Sequence, residues 1–376
     1  MKIFMMSSVH AWNDSRIFYK EAVSLAKKHF IELYAVGDFI FKEINGVKIY
    51  GLPRYNNRCL RTLNWLRILR LAIKSDAEVF HLHDPELIPM GLLLKLIKGK
   101  KVIYDVHEDF PASIMYKEWI PNLFKDALSK VLDFMEKKLA GFFNAILLAE
   151  FSYRDSFKNV STKKINVVNH PLKDFAVERK PNSNNVNLVY AGSISEVRGV
   201  FGMIKAVKLL VQELKNIRLF LIGPVVSASL KTKIKEMIWS DGLAEKVTLI
   251  GRIPLREVYK FYSRCNLGLL LVHPEKNYLS SLATKIFEYM SAGLPVIASN
   301  FRLWEDFFNT NRCGITVDPL DPEDIARGIK YLVSSPNLMR EMGESGKRAF
   351  LEKYNWDSEE EKLFQVYGSL EEKTKM

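Results

Sequence analysis

Ser280-Ser281-Leu282-Ala283-Thr284-Lys285-Ile286-Phe287-Glu288-Tyr289-Met290-Ser291-Ala292-Gly293-Leu294-Pro295-Val296-Ile297-Ala298 reads as a loop, a helix from about Ala283, a glycine stop and a short strand. The same alternation runs outward from it. Apolar, β-branched stretches recur at 187–190, 218–222, 247–250, 267–272, 296–298 and 314–317. In the first half they fall at 2–6, 31–36, 48–52, 79–82, 102–104, 145–148 and 165–168. Helical patterns lie between them, for example at 15–28, 200–214 and 323–334. Strands alternating with helices indicate βαβ units and parallel sheets, so the chain is expected to be α/β.

A length of 376 residues, 48% of them hydrophobic, suits two domains with ordinary cores. The break is expected in a polar stretch at 172–185, which holds Arg179-Lys180 and then Pro181-Asn182-Ser183-Asn184-Asn185. This gives a first domain at 1–175, a linker at 176–186 and a second domain at 187–353. A last helix at 354–376, opened by Tyr354-Asn355-Trp356-Asp357, is expected to pack back on the first domain.

The formal charge is +12, with 27 Lys and Arg against 19 Asp and Glu in residues 1–177. A basic surface suits nucleic acid, anionic lipid or a phosphorylated substrate. Neither zinc-finger spacing nor an RNP-like segment is present, so nucleic acid is set aside as a partner. Cys59, Cys265 and Cys313 are too few and too scattered for a disulfide framework, and read as free thiols in a reducing compartment. Met1-Lys2-Ile3-Phe4-Met5-Met6 turns polar at Ser7, too early for a secretory leader, and no apolar run is long enough to span a bilayer. The expected location is cytoplasmic, including the inner face of the plasma membrane.

Polar residues cluster just after the expected strands: Ser7 and Ser8, His83 and Asp84, His107 and Glu108, Gly192, Gly223, His273 and Ser299. Open α/β sheets bind ligands outside the carboxyl ends of their strands. In the quoted helix, Lys285 sits in the first turn and Glu288 lies one turn on, along the same face. Free amides at a helix start hold anions. A carboxylate beyond them suits ribose hydroxyls. By pattern alone, an amphipathic helix with both side chains merely solvated fits equally well.

The run from Thr284 to Ala298 resembles the donor-site helix of glycosyltransferase family 4, the large retaining group with the GT-B fold. Val189-Tyr190-Ala191-Gly192-Ser193-Ile194-Ser195-Glu196-Val197-Arg198-Gly199 resembles the first strand and loop of that family's donor domain. His81-Leu82-His83-Asp84-Pro85-Glu86 and Tyr104-Asp105-Val106-His107-Glu108-Asp109 resemble two acceptor-domain loops, so the likeness covers nearly the whole chain. It implies two Rossmann-like domains with parallel sheets facing across a cleft. It also implies transfer of a hexosyl or N-acetylhexosaminyl group from a nucleotide-sugar, with acceptor hydroxyl and leaving phosphate on one face. By the same resemblance His107, Arg198 and Lys285 are the catalytic candidates, and Gly192, Arg198, Ser280, Ser281, Thr284, Lys285 and Glu288 the donor-binding ones.

Two positions depart from the family. Ser280 stands where a glutamate that touches donor-sugar hydroxyls is usual, and Ser193 where many members have arginine. The first bears on the identity of the sugar. It keeps two other readings open, a GT-B sugar-nucleotide epimerase and a non-catalytic nucleotide-binding relative. Arg16, His83 and Asp84 are acceptor-side candidates, Arg16 for an acceptor phosphate, while His81 reads as a packing residue. His81 and His83 share a strand face but no third ligand stands at a convincing spacing, so no metal and no cofactor is expected. No Gly-x-Gly-x-x-Gly follows either first strand, which speaks against a dinucleotide oxidoreductase.

Residues 58–74 and 115–143 read as basic amphipathic helices, the first with Arg58, Arg61, Arg67, Arg70 and Lys74, the second with Lys125, Lys130, Lys137 and Lys138. Such helices lie on anionic membrane surfaces, although a core helix with a solvated basic face reads similarly. With the basic first half they point to a lipid-linked or polysaccharide acceptor, as in the biosynthesis of O-antigen, capsule or exopolysaccharide.

Overall fold

Continuous apolar runs become strands covered on both faces, as parallel sheets require. The computed structural model describes residues 1–55, 57–116, 120–180 and 185–375. They form two units: 1–169 with 356–376, and 170–355.

The first unit carries an eight-stranded sheet of β1 (Lys2–Ala11), β2 (Phe30–Val36), β3 (Phe41–Ile44), β4 (Val47–Leu52), β5 (Val79–Leu82), β6 (Lys101–Val106), β7 (Ala145–Leu148) and β8 (Lys164–Asn166), in the order 3-4-2-1-5-6-7-8. All neighbours are parallel except β3 with β4. Of that antiparallel edge hairpin, β4 matches the strand expected at 48–52, while β3 is absent from the strands expected above. The hairpin turns at Asn45-Gly46, both at positive φ (52° and 76°), the pair that a two-residue hairpin favours. β1 also runs five residues past the expected 2–6, to Ala11, so Ser7 and Ser8 belong to the strand.

Phe80, Leu82, Tyr104 and Val106 project to one face of this sheet, under the helices Arg58–Lys74, Ile88–Lys98 and Asn122–Ala140. These three helices pack side by side. Their outer surface is apolar in an unusual degree: Leu66 is 64% exposed, Leu96 74%, Leu123 84% and Phe134 63%. The opposite face is covered by the helical segment 17–26 and by the C-terminal helix Trp356–Lys375. The latter is tied down by Trp356 Nε1 donating to Ser24 Oγ (2.9 Å) and by Val168 N donating to Glu359 Oε2 (2.8 Å).

Glu136, on the inner side of the helix Asn122–Ala140, accepts from Tyr104 Oη at 2.6 Å. Burial pushes its carboxyl up to about 7 against that hydrogen bond, helped by Asp109 and Asp133. A raised folded value means stability that is full below pH 4.5 and lost as pH rises to about 7, because only the unfolded chain ionises in that window. Glu136→Gln should flatten this slope, worth at most about 3 kcal/mol. Thermal unfolding of both proteins at pH 5 and pH 8 checks it.

The second unit holds a six-stranded, fully parallel sheet of β9 (Val186–Ala191), β10 (Ile217–Ile222), β11 (Val247–Gly251), β12 (Leu267–Leu270), β13 (Val296–Ser299) and β14 (Gly314–Val317), in the order 11-10-9-12-13-14. Residues 170–180 pack with this unit and do not act as a linker. Phe175 stacks on Tyr259 with ring centroids 4.7 Å apart, and His170 meets Phe287 edge-on. Of the rest of the expected linker at 176–186, residues 181–184 lie outside the described residues, as does the Cys59 side chain, and Val186 opens β9. Cys265 and Cys313 are free and buried, and burial pushes both thiols up to about 12.

Candidate active site

In the second sheet the chain runs outward from β9 to β11, then returns to β12 beside β9. Ligands bind above such a reversal, and the donor-side candidates gather there. The loop after β9 begins at Gly192 and closes at Gly199 (φ 75°), where a Cβ would stand 1.9 Å from the Leu271 carbonyl oxygen. His273 N donates to Val197 O (2.7 Å), so this loop is knitted to the segment leaving β12. Gly192 leaves room for Arg198, whose Nη1 would lie 3.3 Å from a Cβ at that position. Arg198 is half-buried. Burial opposes its charge, yet Tyr190 and Tyr278 hold its pKa above the ordinary value.

The helix Thr284–Ser291 follows β12, and no side chain among the described residues caps its start at Ala283. Its first amides are therefore left for a ligand. Lys285 Nζ donates to Glu288 Oε2 at 2.7 Å, and Tyr262 Oη donates to the same oxygen at 3.0 Å. Glu288 is nearly buried, so neither it nor Lys285 is the merely solvated side chain of a plain amphipathic helix. Tyr262 is the partner that sequence reading missed. It lies on the helix Leu255–Arg264, and only the fold brings it to Glu288. Ser280 is exposed, at the end of the short helix Lys276–Leu279. Ser281 Oγ bonds the Asn277 carbonyl (2.8 Å), and the Ser281 carbonyl accepts from Trp304 Nε1 (2.7 Å), which fixes this loop against the core.

In the first sheet the reversal falls between β1 and β5. Asp84, 2% exposed, accepts from Ser7 Oγ at 3.0 Å and from Ser8 N at 2.5 Å, so it braces the end of β1 and does not present its carboxylate to solvent. Glu86 accepts from Ser8 Oγ and from Trp65 Nε1. His107 stands just past β6, with Nε2 2.5 Å from Asp105 Oδ2 and 3.2 Å from His83 Nδ1. Its side chain is partly open, and the ring of His10 lies 5.2 Å away. His10 went unselected above because β1 was expected to stop short of it. Burial works against its charge, but Asp14 and Asp84 raise its pKa.

Three expectations need correction. Arg16 does not reach out to an acceptor phosphate. It is buried, with Nε and Nη2 on the two oxygens of Asp105 (2.9 and 2.7 Å) and Nη1 on the Val167 carbonyl (2.8 Å). An internal carboxylate needs that partner more than a substrate does. His83 does not line an open surface either: it is 1% exposed, and burial lowers its pKa. Finally, His81 and His83 do have further ligand-type neighbours, Glu21 and Asp105. These come from a distant helix and an adjacent strand, which spacing along the chain does not reveal.

The family model for glycosyl transferases group 1 matches residues 173–349, most of the second unit. Over 371 residues the chain is 20% identical to an uncharacterised glycosyltransferase of Methanocaldococcus jannaschii, covering 90% of this chain and 89% of that one. The solved structure of Anabaena HepE in complex with UDP is similar over 98% of this chain and 100% of its own, with a TM-score of 0.76 at 13% identity. WaaG, a glycosyltransferase involved in lipopolysaccharide biosynthesis, is similar over 98% and 100%, with a TM-score of 0.70 at 15% identity. A group 1 glycosyl transferase domain in the second unit, a relative of matching length named as a glycosyltransferase, and two parallel-sheet units of the GT-B fold identify the protein as a glycosyltransferase that uses a nucleotide-sugar.

Proposed function

We propose that the protein moves a hexosyl or N-acetylhexosaminyl group, with retention, from a nucleoside diphosphate sugar to a lipid-linked glycan on an anionic membrane, in cell-surface polysaccharide or lipopolysaccharide assembly. The observation that carries the donor half is the Lys285–Glu288–Tyr262 arrangement on an uncapped helix start. Tyr262 and Lys285 both donate to Oε2, which leaves Oε1 to accept ribose hydroxyls. The amides near Thr284 and the Lys285 ammonium take the diphosphate. Arg198 meets it from the β9 loop, so charge developing on the leaving group falls on preorganised cations. No metal is assigned to that step. Gly192 gives the phosphates close approach, and Ser280 and Ser281 stand toward the sugar. HepE was solved with UDP, which makes UDP-sugars the first donors to test.

On the acceptor side, His107 is oriented by Asp105 as a base is oriented by a buried carboxylate. Its remaining ring nitrogen positions a sugar hydroxyl. The exposed apolar surface of the three first-unit helices, interleaved with Lys125, Lys130 and Lys138, supports the membrane half. The protein should sediment with vesicles rich in anionic lipid at low salt and be released at high salt. Phe124→Ser with Phe134→Ser should weaken this at least roughly tenfold, since each ring buries apolar area worth over 1 kcal/mol. Absence of binding at low salt would sink the membrane assignment.

A panel of sugar nucleotides, assayed with and without lipid-linked acceptor, tests the function. Acceptor-dependent release of nucleoside diphosphate is expected. Equal turnover of donor without acceptor would favour the epimerase that the exposed Ser280 keeps in view.

A further inference from the structure

β5 and β6 turn Phe80, Leu82, Tyr104 and Val106 to one face of the first sheet, and His81, His83 and Asp105 to the other. There they meet Glu21 of the helical segment Ile17–Ala22. These four side chains are at most 1% exposed, and one ligand atom from each lies within 4.8 Å of all the others. Glu21 Oε2 stands 3.8 Å from His81 Nε2 and 3.9 Å from His83 Nδ1, and His83 Nδ1 stands 3.4 Å from Asp105 Oδ2. Tyr367 Oη lies 2.9 Å from His81 Nδ1, which turns Nε2 of that ring toward Glu21.

The cluster is not satisfied internally. Glu21 Oε2 and His81 Nε2 are buried with no hydrogen-bond partner among the described residues. Orphaned buried polar atoms are rare, and each asks for an ion, a water or a proton. Arg16 accounts for one negative charge, gripping both oxygens of Asp105, and its Nη2 also lies 2.9 Å from Glu21 Oε1. That leaves Oε2 of Glu21 directed at two imidazoles. Ligand atoms on a tetrahedral ion with bonds of about 2.0–2.1 Å are spaced by roughly 3.4 Å. The three spacings given above exceed this by at most about 0.5 Å, and the remaining pairs lie within 4.8 Å, so the side chains must draw in by up to roughly an ångström to close on an ion.

We propose that Glu21, His81, His83 and Asp105 hold a structural divalent transition cation, with zinc the best fit to two imidazoles and two carboxylates in a closed four-ligand set. Tyr367 on His81, and Arg16 on both carboxylates, orient the ligands from behind. The ion ties the helix after β1, the two central strands and the C-terminal helix to one point. It holds Asp105, and through Asp105 the imidazole of His107. It belongs to the first unit alone and does not depend on the sugar transferred.

Tag-free, full-length protein is stripped with a chelator and titrated with zinc against a chromophoric competitor, and separately with cobalt. Stoichiometric zinc uptake, a raised Tm and the intense visible bands of tetrahedral cobalt are expected. Glu21→Gln and His81→Gln should abolish them. Tyr367→Phe, which keeps the packing, should lower affinity about 10–100-fold. A folded wild-type chain that takes up neither metal stoichiometrically would overturn the proposal and leave a proton on Glu21 as the occupant. Uptake unchanged in folded Glu21→Gln and His81→Gln would overturn it equally.

Discussion

Arg16→Met is expected to destabilise the first unit by about 3–5 kcal/mol at neutral pH, the cost of stripping a buried charge of its partner. Arg16 is 3% exposed and makes a two-pronged bond to Asp105, which is itself fully buried. Burial alone would drive the Asp105 carboxyl up, but Arg16 and His107 hold it well below its usual 3.8. A depressed folded value means stability that is present above pH 3.8 and lost as pH falls through the folded pKa. In the variant the sign reverses. An unpaired buried carboxyl takes a proton readily, so the variant recovers stability as pH is lowered from 7. The gap between the two proteins should therefore narrow toward pH 4, as denaturant unfolding in the presence of chelator would show. A gap that stays constant with pH would mean that the loss comes from packing and not from charge.

Arg198→Ala is expected to lower kcat by roughly 10²–10³-fold, the usual effect of removing a preorganised group that meets developing charge. The side chain is already positioned by Tyr190 and Tyr278, so little reorganisation accompanies reaction. Arg198→Lys should recover only part of the loss, since an ammonium cannot grip a diphosphate with two parallel bonds. Steady-state turnover of the preferred donor reads this directly, and an unchanged Tm shows that the fold is intact. Full activity in Arg198→Ala would remove this residue from the reaction.

The parallel sheets are legible in the sequence because their buried strands are continuous apolar runs. β12 and β13, Leu267–Leu270 and Val296–Ser299, have every residue buried. β3 is harder to see, since Phe41-Lys42-Glu43 is exposed and interrupted by charge. Its signal lies in the turn, Asn45-Gly46, more than in the strand. The donor helix is legible for a different reason: its functional residues are local, with Lys285 and Glu288 one turn apart and a glycine close behind. Tyr262 is not local. It reaches Glu288 only because the helix Leu255–Arg264 packs against the same sheet. The first unit shows the limit most clearly. Arg16, Glu21, His83 and Asp105 lie on three elements, and charge alone does not say whether an arginine faces a substrate or an internal carboxylate. Where the first unit ends is likewise set by ring contacts such as Phe175 on Tyr259, which composition does not encode.

Titration calorimetry of UDP into the wild type and into Glu288→Ala tests the donor placement most directly. Binding by the wild type is expected, weakened roughly 10- to 100-fold in the variant, as fits loss of a charged hydrogen-bond acceptor worth about 1.5–3 kcal/mol. Equal affinity in the two proteins would place the nucleotide elsewhere and contradict the assignment of the helix Thr284–Ser291 as the donor site.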